Sequence, residues 1–471
     1  MAASSHRVRS VLLACAAVVL AGCNLYAPSW SSIHGDGGNR DYSPVVGARA
    51  LDPAWTRAFE GLINVGATVD PNGRAYLTTS SGACHLHVLD LATGQTEWCS
   101  GAVNGTAVIS SALIDRDGRI FLADDTAMHA FAPDGTILWE TPIVGAPLSA
   151  QFTPNGRVVF ITNVGTIYVL HREDGSAVLP PYELIPGATY TPGTGALQAC
   201  ARGTAACPSA NTPSIDLDTG RLTFTFWAPG ATQAGVRAVQ ISETPVPHIT
   251  PLWTNDSLPG GSASSPTLSD DGTRIYVTDN VGALHALDAA TGTSAWSITI
   301  GYAAGGSVSL SPARTVMPAG GGTSPLLAVA DRGDHGELLW SRPDLVNRGI
   351  PTQVAGGTSY ATVQAPNGAA DLVVVDTATG AELDRHRLPG TPYFTVGTTV
   401  APDGTVLLQS KAFESGKVAG QTVAQLTRDG AAAIAALQAQ LEPVDATGVA
   451  AAAAALADMA QAAASSDKKQ A

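Results

Sequence analysis

Leu89-Asp-Leu-Ala-Thr-Gly-Gln-Thr-Glu-Trp98 returns nearly unchanged as Leu287-Asp-Ala-Ala-Thr-Gly-Thr-Ser-Ala-Trp296. Each copy ends an apolar strand, makes a tight turn, and places tryptophan four residues after glycine. The same spacing joins Gly135 to Trp139 and Gly336 to Trp340. Between the copies lie turns rich in Pro, Asn, Asp and Gly, among them Asp70-Pro-Asn-Gly73, Asp115-Arg-Asp-Gly118, Thr153-Pro-Asn-Gly156, Ser269-Asp-Asp-Gly272, Ala365-Pro-Asn-Gly368 and Ala401-Pro-Asp-Gly404. Such dipeptides supply the positive backbone angle that hairpins need. Short strands with alternating burial recurring at roughly 40–50 residues indicate a β-propeller or a related array.

The spacing predicts an all-β, eight-bladed propeller of four-stranded antiparallel blades over residues 53–427. The turn just described is expected between the first two strands of each blade. Asp218-Thr-Gly220 and Ser311-Pro312 stand in for it in two weaker units, Ile215–Trp253 and Ser307–Trp340. Trp55 and Trp253 occupy the slot of the repeated tryptophan, so Pro53–Phe59 is expected as the outermost strand of the last blade, closing the ring. Leu179 and Asp384 break the tryptophan rule. Trp55, Trp98, Trp139, Trp253, Trp296 and Trp340 are read as structural: an indole at one blade's edge covers its neighbour while its N–H reaches a carbonyl. Pro180–Pro213, rich in Pro, Gly, Thr and Ala, is a loop insertion (180–213) between the third and fourth blades. Insertions of this length often carry function. The tail, 428–471, is alanine-rich and is expected to be helical or disordered.

The first 22 residues read as a signal peptide: His6, Arg7 and Arg9 precede an apolar run, Val11 to Ala21, too short to span a bilayer. The run ends in Leu20-Ala21-Gly22-Cys23, which resembles a bacterial lipobox and implies cleavage before Cys23 and its acylation. The plainer reading is a secreted protein with an incidental cysteine. Residues 23–52 then form a tether and lead-in segment. Asn24 after the cysteine resembles an outer-membrane sorting signal, which implies the periplasmic face of the outer membrane in a two-membraned cell and the cell surface otherwise.

Cys84, Cys99, Cys200 and Cys207 remain, an even number suited to two disulfides outside the cytosol. A hairpin closed around residues 90–93 would set Cys84 directly opposite Cys99, at a separation a disulfide accepts. Cys200 and Cys207 would close a small loop. Neither pair has zinc-site spacing. The net charge of −14 and the lack of a basic stripe exclude nucleic acid as an expected partner. With 45% hydrophobic residues, the 50 glycines and 30 prolines mark turns rather than disorder.

The Leu-Asp-x-x-Thr-Gly-x-x-x-Trp units resemble the repeats of the pyrroloquinoline quinone (PQQ) propeller superfamily. Trp30-Ser-Ser-Ile-His-Gly-Asp-Gly-Gly-Asn-Arg-Asp-Tyr-Ser-Pro44 is similar to the N-terminal segment of quinoprotein dehydrogenases. The superfamily contains PQQ- and calcium-dependent dehydrogenases of alcohols or sugars, and also non-catalytic BamB-like envelope lipoproteins. The alcohol dehydrogenases place adjacent cysteines against the quinone and hold calcium with Glu, Asn and Asp. No adjacent cysteines occur here, and Glu183, Asp216, Asp218, Asp279 and Asp331 lie in no matching motif. His87, His129 and His285, with Tyr168 in the third blade, share one repeat position, which reads as structural rather than metal-binding. Asp216-Leu-Asp218-Thr-Gly220 and His34-Gly-Asp36-Gly-Gly38 lack the length and terminal Glu of a calcium loop. Nucleophile, phosphate-loop and zinc-protease motifs are absent. The sequence therefore leads to a monomeric, lipid-anchored extracytoplasmic scaffold without catalytic residues, metal or cofactor. Its expected partner is an envelope protein or membrane-assembly component. The alternative is the PQQ- and calcium-dependent enzyme.

Overall fold

The computed structural model describes residues 25–193, 197–388, 394–411, 413–414, 417–418 and 421–428. Residues 1–24, which hold the expected signal peptide and Cys23, and the tail beyond Arg428 lie outside the described residues. Successive antiparallel sheets occupy residues 68–100, 113–142, 151–183, 214–258, 267–299, 308–346, 352–387 and 394–428, here the first to the eighth sheet. Their first strands are short and buried, as in Thr68–Val69, Ser214–Ile215 and Thr267–Leu268, and successive ones touch, so they line the axis. Their fourth strands, such as His248–Leu258 and Gly336–Val346, are long and largely exposed.

The expected count of four-stranded blades is corrected: among the described residues there are seven, not eight. The seventh sheet has five strands, because Tyr42–Val46 adds in parallel to Thr352–Ala355. That stretch arrives extended along the axis and pairs with the free inner edge. Ring closure follows the expectation: Leu51–Phe59 runs antiparallel to Gln421–Arg428, with Trp55 opposite Gln425. The eighth sheet thus joins both ends of the propeller and leaves no long edge there.

One turn sits elsewhere than expected. Pro366–Gly368 connects the second and third strands of the seventh sheet, whereas Gly356–Gly357 make the first turn. Both disulfides form, but the register around the first differs. Cys99 faces His87, not Cys84: the hairpin closes with Leu89 opposite Thr96, two positions off the expected register, and a bulge between Val88 and Leu89 adds one more. Cys84 reaches across from the loop just before its strand, with 5.7 Å between Cα atoms.

All six tryptophans reach into the sheet that follows their own. Trp55, Trp98, Trp139, Trp253 and Trp340 donate to the carbonyls of Leu91, Pro133, Arg172, Ala289 and Thr377 in the following sheet, at 2.9–3.2 Å. Trp296 instead donates to Asp331 Oδ1 at 2.8 Å. Each ring lies on the next sheet's turn glycine: a Cβ on Gly94 would come within 2.6 Å of Trp55, and one on Gly292 within 2.2 Å of Trp253. The Thr-Gly step is therefore both a turn and the floor for an incoming indole. At the seam after the third sheet, Leu179 is buried without such a bond; at the seam after the seventh, Asp384 accepts from Leu51 N at 2.8 Å.

Among the described residues one short α-helix appears, Leu197–Arg202 in the insertion, and no helix is long and apolar enough to cross a membrane.

Candidate functional site

The lead-in segment crosses the mouth of the channel on the face that carries most first-to-second-strand turns, the turn face. Its backbone meets sheet after sheet. Ala27 N donates to Ile114 O, Val69 N to Trp30 O, Ile215 N to Gly37 O, Leu268 N to Gly38 O, Leu310 N to Arg40 O and Gln353 N to Asp41 O. The glycine run permits this close approach: a Cβ on Gly37 would lie 2.9 Å from both Ile215 and Tyr26 Oη.

Side chains then lock the crossing. Asn39, in the left-handed region at φ 58, donates to the carbonyls of Thr212 and Pro266 and accepts from Gln151 Nε2. Tyr26 Oη donates to Gln151 Oε1 at 2.8 Å. His34 Nδ1 lies 2.8 Å from Asp41 Oδ2, and its Nε2 lies 3.1 Å from Ser265 Oγ and 3.4 Å from Ser307 Oγ. Burial pushes the Asp41 carboxyl up, and the neighbouring His34 opposes that shift. His34, Asp41 and Ser265 are all buried, so this chain fastens the segment to the fifth and sixth sheets rather than facing a substrate.

The 180–213 insertion covers the opposite side of the ring. Its disulfide, Cys200–Cys207, packs with Leu148 and Ile109. Ser262 N donates to Gly203 O, Asn280 Nδ2 to Arg202 O, and Trp227 N to Pro208 O. Tyr190 Oη and Gly193 N both donate to Asp125 Oδ2. The insertion thereby ties the second, third, fourth and fifth sheets together, work its loop-like composition did not announce.

On the turn face a groove of about 720 Å³ opens beside the lead-in, walled by Tyr26, Arg40, Tyr42, Leu217, Asp270 and Pro402. Arg40 Nε donates to Asp36 Oδ2 at 2.6 Å, and the guanidinium also pairs with Asp270. The groove's walls are aromatic, proline and aliphatic, its arginine is held between Asp36 and Asp270, and the Asp218 carboxylate is exposed. Sequence reading missed it. The Gly-Asp-Gly-Gly-Asn-Arg run was its one local signal, since so many small residues together imply backbone packed against backbone.

The repeated histidines are not brought together. His87 Nε2 meets Thr79 Oγ1 at 3.1 Å, His285 Nε2 meets Asp279 Oδ2 at 2.8 Å, and His129 lies 3.4 Å from Asp124. Tyr168 Oη accepts from Val144 N. Each braces the turn after the second strand of its own sheet or the adjoining crossover. The acidic candidates are dispersed too. Glu183 accepts from Gly187 N, Asp216 pairs with Arg221, and Asp218 N donates to Asp216 Oδ1. Asp279 also accepts from three backbone N–H groups, Val281, Gly282 and Ala283. Asp331 holds Tyr276 Oη, Trp296 Nε1 and Gly333 N; burial raises its carboxyl, but these donors bring it below the usual range. Among the described residues no three His, Cys, Asp or Glu side chains converge to hold a metal ion. Calcium, as a hard cation, needs six to eight oxygens around one point. The described residues bring no such set of side-chain oxygens together.

Comparison with known proteins agrees with this architecture. The family model described as "Outer membrane protein assembly factor BamB" matches residues 250–455. Protein Rv3035 of Mycobacterium tuberculosis (strain ATCC 25618 / H37Rv) is 28% identical over 387 residues, 81% of this chain and 93% of that protein. BamB from Moraxella catarrhalis superimposes with a TM-score of 0.55 at 19% identity, over 80% of this chain and 99% of that one. Quinohemoprotein alcohol dehydrogenase from Comamonas testosteroni gives 0.59 at 14% identity, over 85% and 80%. At such identities the structural likeness speaks for the fold, and both branches share it. Repeat, sheet order, tryptophan locks and the match over residues 250–455 together make the chain similar in fold to the PQQ-like β-propellers.

Proposed function

We propose that this protein is a lipid-anchored extracytoplasmic scaffold that binds another protein of the cell envelope, in the manner of the BamB-like branch. The observation that carries this reading is the occupation of the channel mouth by the chain's own lead-in segment, locked by His34, Asn39 and Asp41, beside an open groove. A ring sealed this way offers rigid surfaces and engaged carboxylates rather than a reaction chamber. The match of residues 250–455 to the model of an outer-membrane assembly factor supports the role in envelope protein assembly, by analogy of fold. Acylation at Cys23 would supply the anchor, on the periplasmic face of the outer membrane in a two-membraned cell.

In-cell crosslinking from the groove, followed by mass spectrometry, tests the scaffold role; a reproducible envelope partner is expected, and recovery of none would defeat it. The alternative, a PQQ- and calcium-dependent dehydrogenase of alcohols or sugars, has no residue set favouring it. Titration of the purified chain with PQQ and Ca²⁺, with dye reduction by alcohols and sugars, should give no substrate-dependent turnover.

A further inference from the structure

The lead-in enters the ring at a fixed point. Leu25 O accepts from Arg116 N at 2.9 Å, and the Leu25 side chain lies where a Cβ on Gly156 would come within 2.6 Å of it. Both contacts belong to first turns, of the second and third sheets, so Leu25 is seated on the turn face. Cys23 is two residues earlier in the chain. Two residues reach at most about 7 Å even when fully extended. The ring is thicker than that: a five-residue strand such as Arg74–Thr78 spans roughly 17 Å. An acyl group on Cys23 therefore cannot enter a bilayer lying against the opposite face.

We propose that the turn face rests against a lipid surface, pivoting on the second and third sheets at Leu25, with the 180–213 insertion facing away. This rests on the acylation of Cys23. Charge does not separate the two sides of this face: near Leu25, Arg172 pairs with Asp115 at 3.0 Å and Arg119 with Asp117 at 3.6 Å, and at the fifth sheet's turn Asp270 pairs with Arg40 and Asp271 with Arg314. The short tether alone sets the contact, so the corner at Leu25 lies nearest the bilayer.

The test uses the full acylated chain in vesicles containing a headgroup-nitroxide lipid. A fluorophore is attached at Asn155→Cys, an exposed turn-face position, or at Val281→Cys, 65% exposed on the other face. The Asn155 label should be quenched several-fold more strongly. A Gly-Ser spacer of about 20 residues after Asn24, with a root-mean-square span of about 25 Å, should erase the difference. Equal quenching, or stronger quenching at Val281, in protein carrying the acyl mass overturns the orientation. A Cys23 peptide of unmodified mass refutes the anchor itself, and the orientation falls with it.

Discussion

Trp139 is only 8% exposed, covers Gly175 of the next sheet, packs near Phe121, and uses its one polar atom on the Arg172 carbonyl. Trp139→Ala should therefore cost about 3–5 kcal/mol, as large aromatic truncations in cores do. Trp139→Phe keeps much of the apolar contact but leaves the carbonyl without its donor, and should cost less, about 1–3 kcal/mol. Urea titration checks both, and equal losses would mean that the indole N–H contributes nothing. His87 provides the pH-dependent counterpart. Burial is the main cause that brings its imidazole down to about 4, and it packs edge-on against Phe59. The unfolded chain then binds the proton between about pH 6.5 and 4 while the folded one does not, so stability falls as pH drops through that window. His87→Gln should flatten this part of the profile, read as the difference in urea midpoint between wild type and variant from pH 7 to 4.

At the level of elements, the two segments outside the repeat act as straps on opposite sides of the ring. The lead-in is held by backbone bonds to sheet after sheet, whereas the insertion depends on a few bonds plus the Cys200–Cys207 link. Removing that link by Cys200→Ser with Cys207→Ser frees a short loop whose closure contributes on the order of 2–3 kcal/mol. Hydrogen exchange should then speed up across 180–213 and at Ser262, whose N–H donates to Gly203 O. Amides of the second and fifth sheets away from the insertion should keep their wild-type rates. Faster exchange throughout the ring would show instead that the insertion is integral to the core.

Across the whole molecule the indole locks divide the ring in two. Trp55, Trp98 and Trp139 join the eighth, first, second and third sheets, while Trp253, Trp296 and Trp340 join the fourth to the seventh. The seams at Leu179 and Asp384 lack the lock, and four sheets lie between them on either side. Native-state exchange should resolve two cooperative units with these boundaries, since sub-global opening follows the weakest interfaces. A single unit opening at one free energy would argue that the lead-in, which touches both halves, fuses them.

The repeat unit, its strand order, the indole locks and the closing strand at Trp55 were legible because each is encoded within a few neighbouring residues. A turn needs its glycine, a strand its alternation, and an indole its fixed distance from that turn. The fifth strand of the seventh sheet, the bulge that turns His87 toward Cys99, and the path of the lead-in across the channel were decided by tertiary structure alone. His34 meets Ser265 across 231 positions of sequence, and no local pattern records such a meeting. Propensity and turn chemistry act over a few bonds, whereas these contacts exist only after the ring has brought distant sheets around one axis.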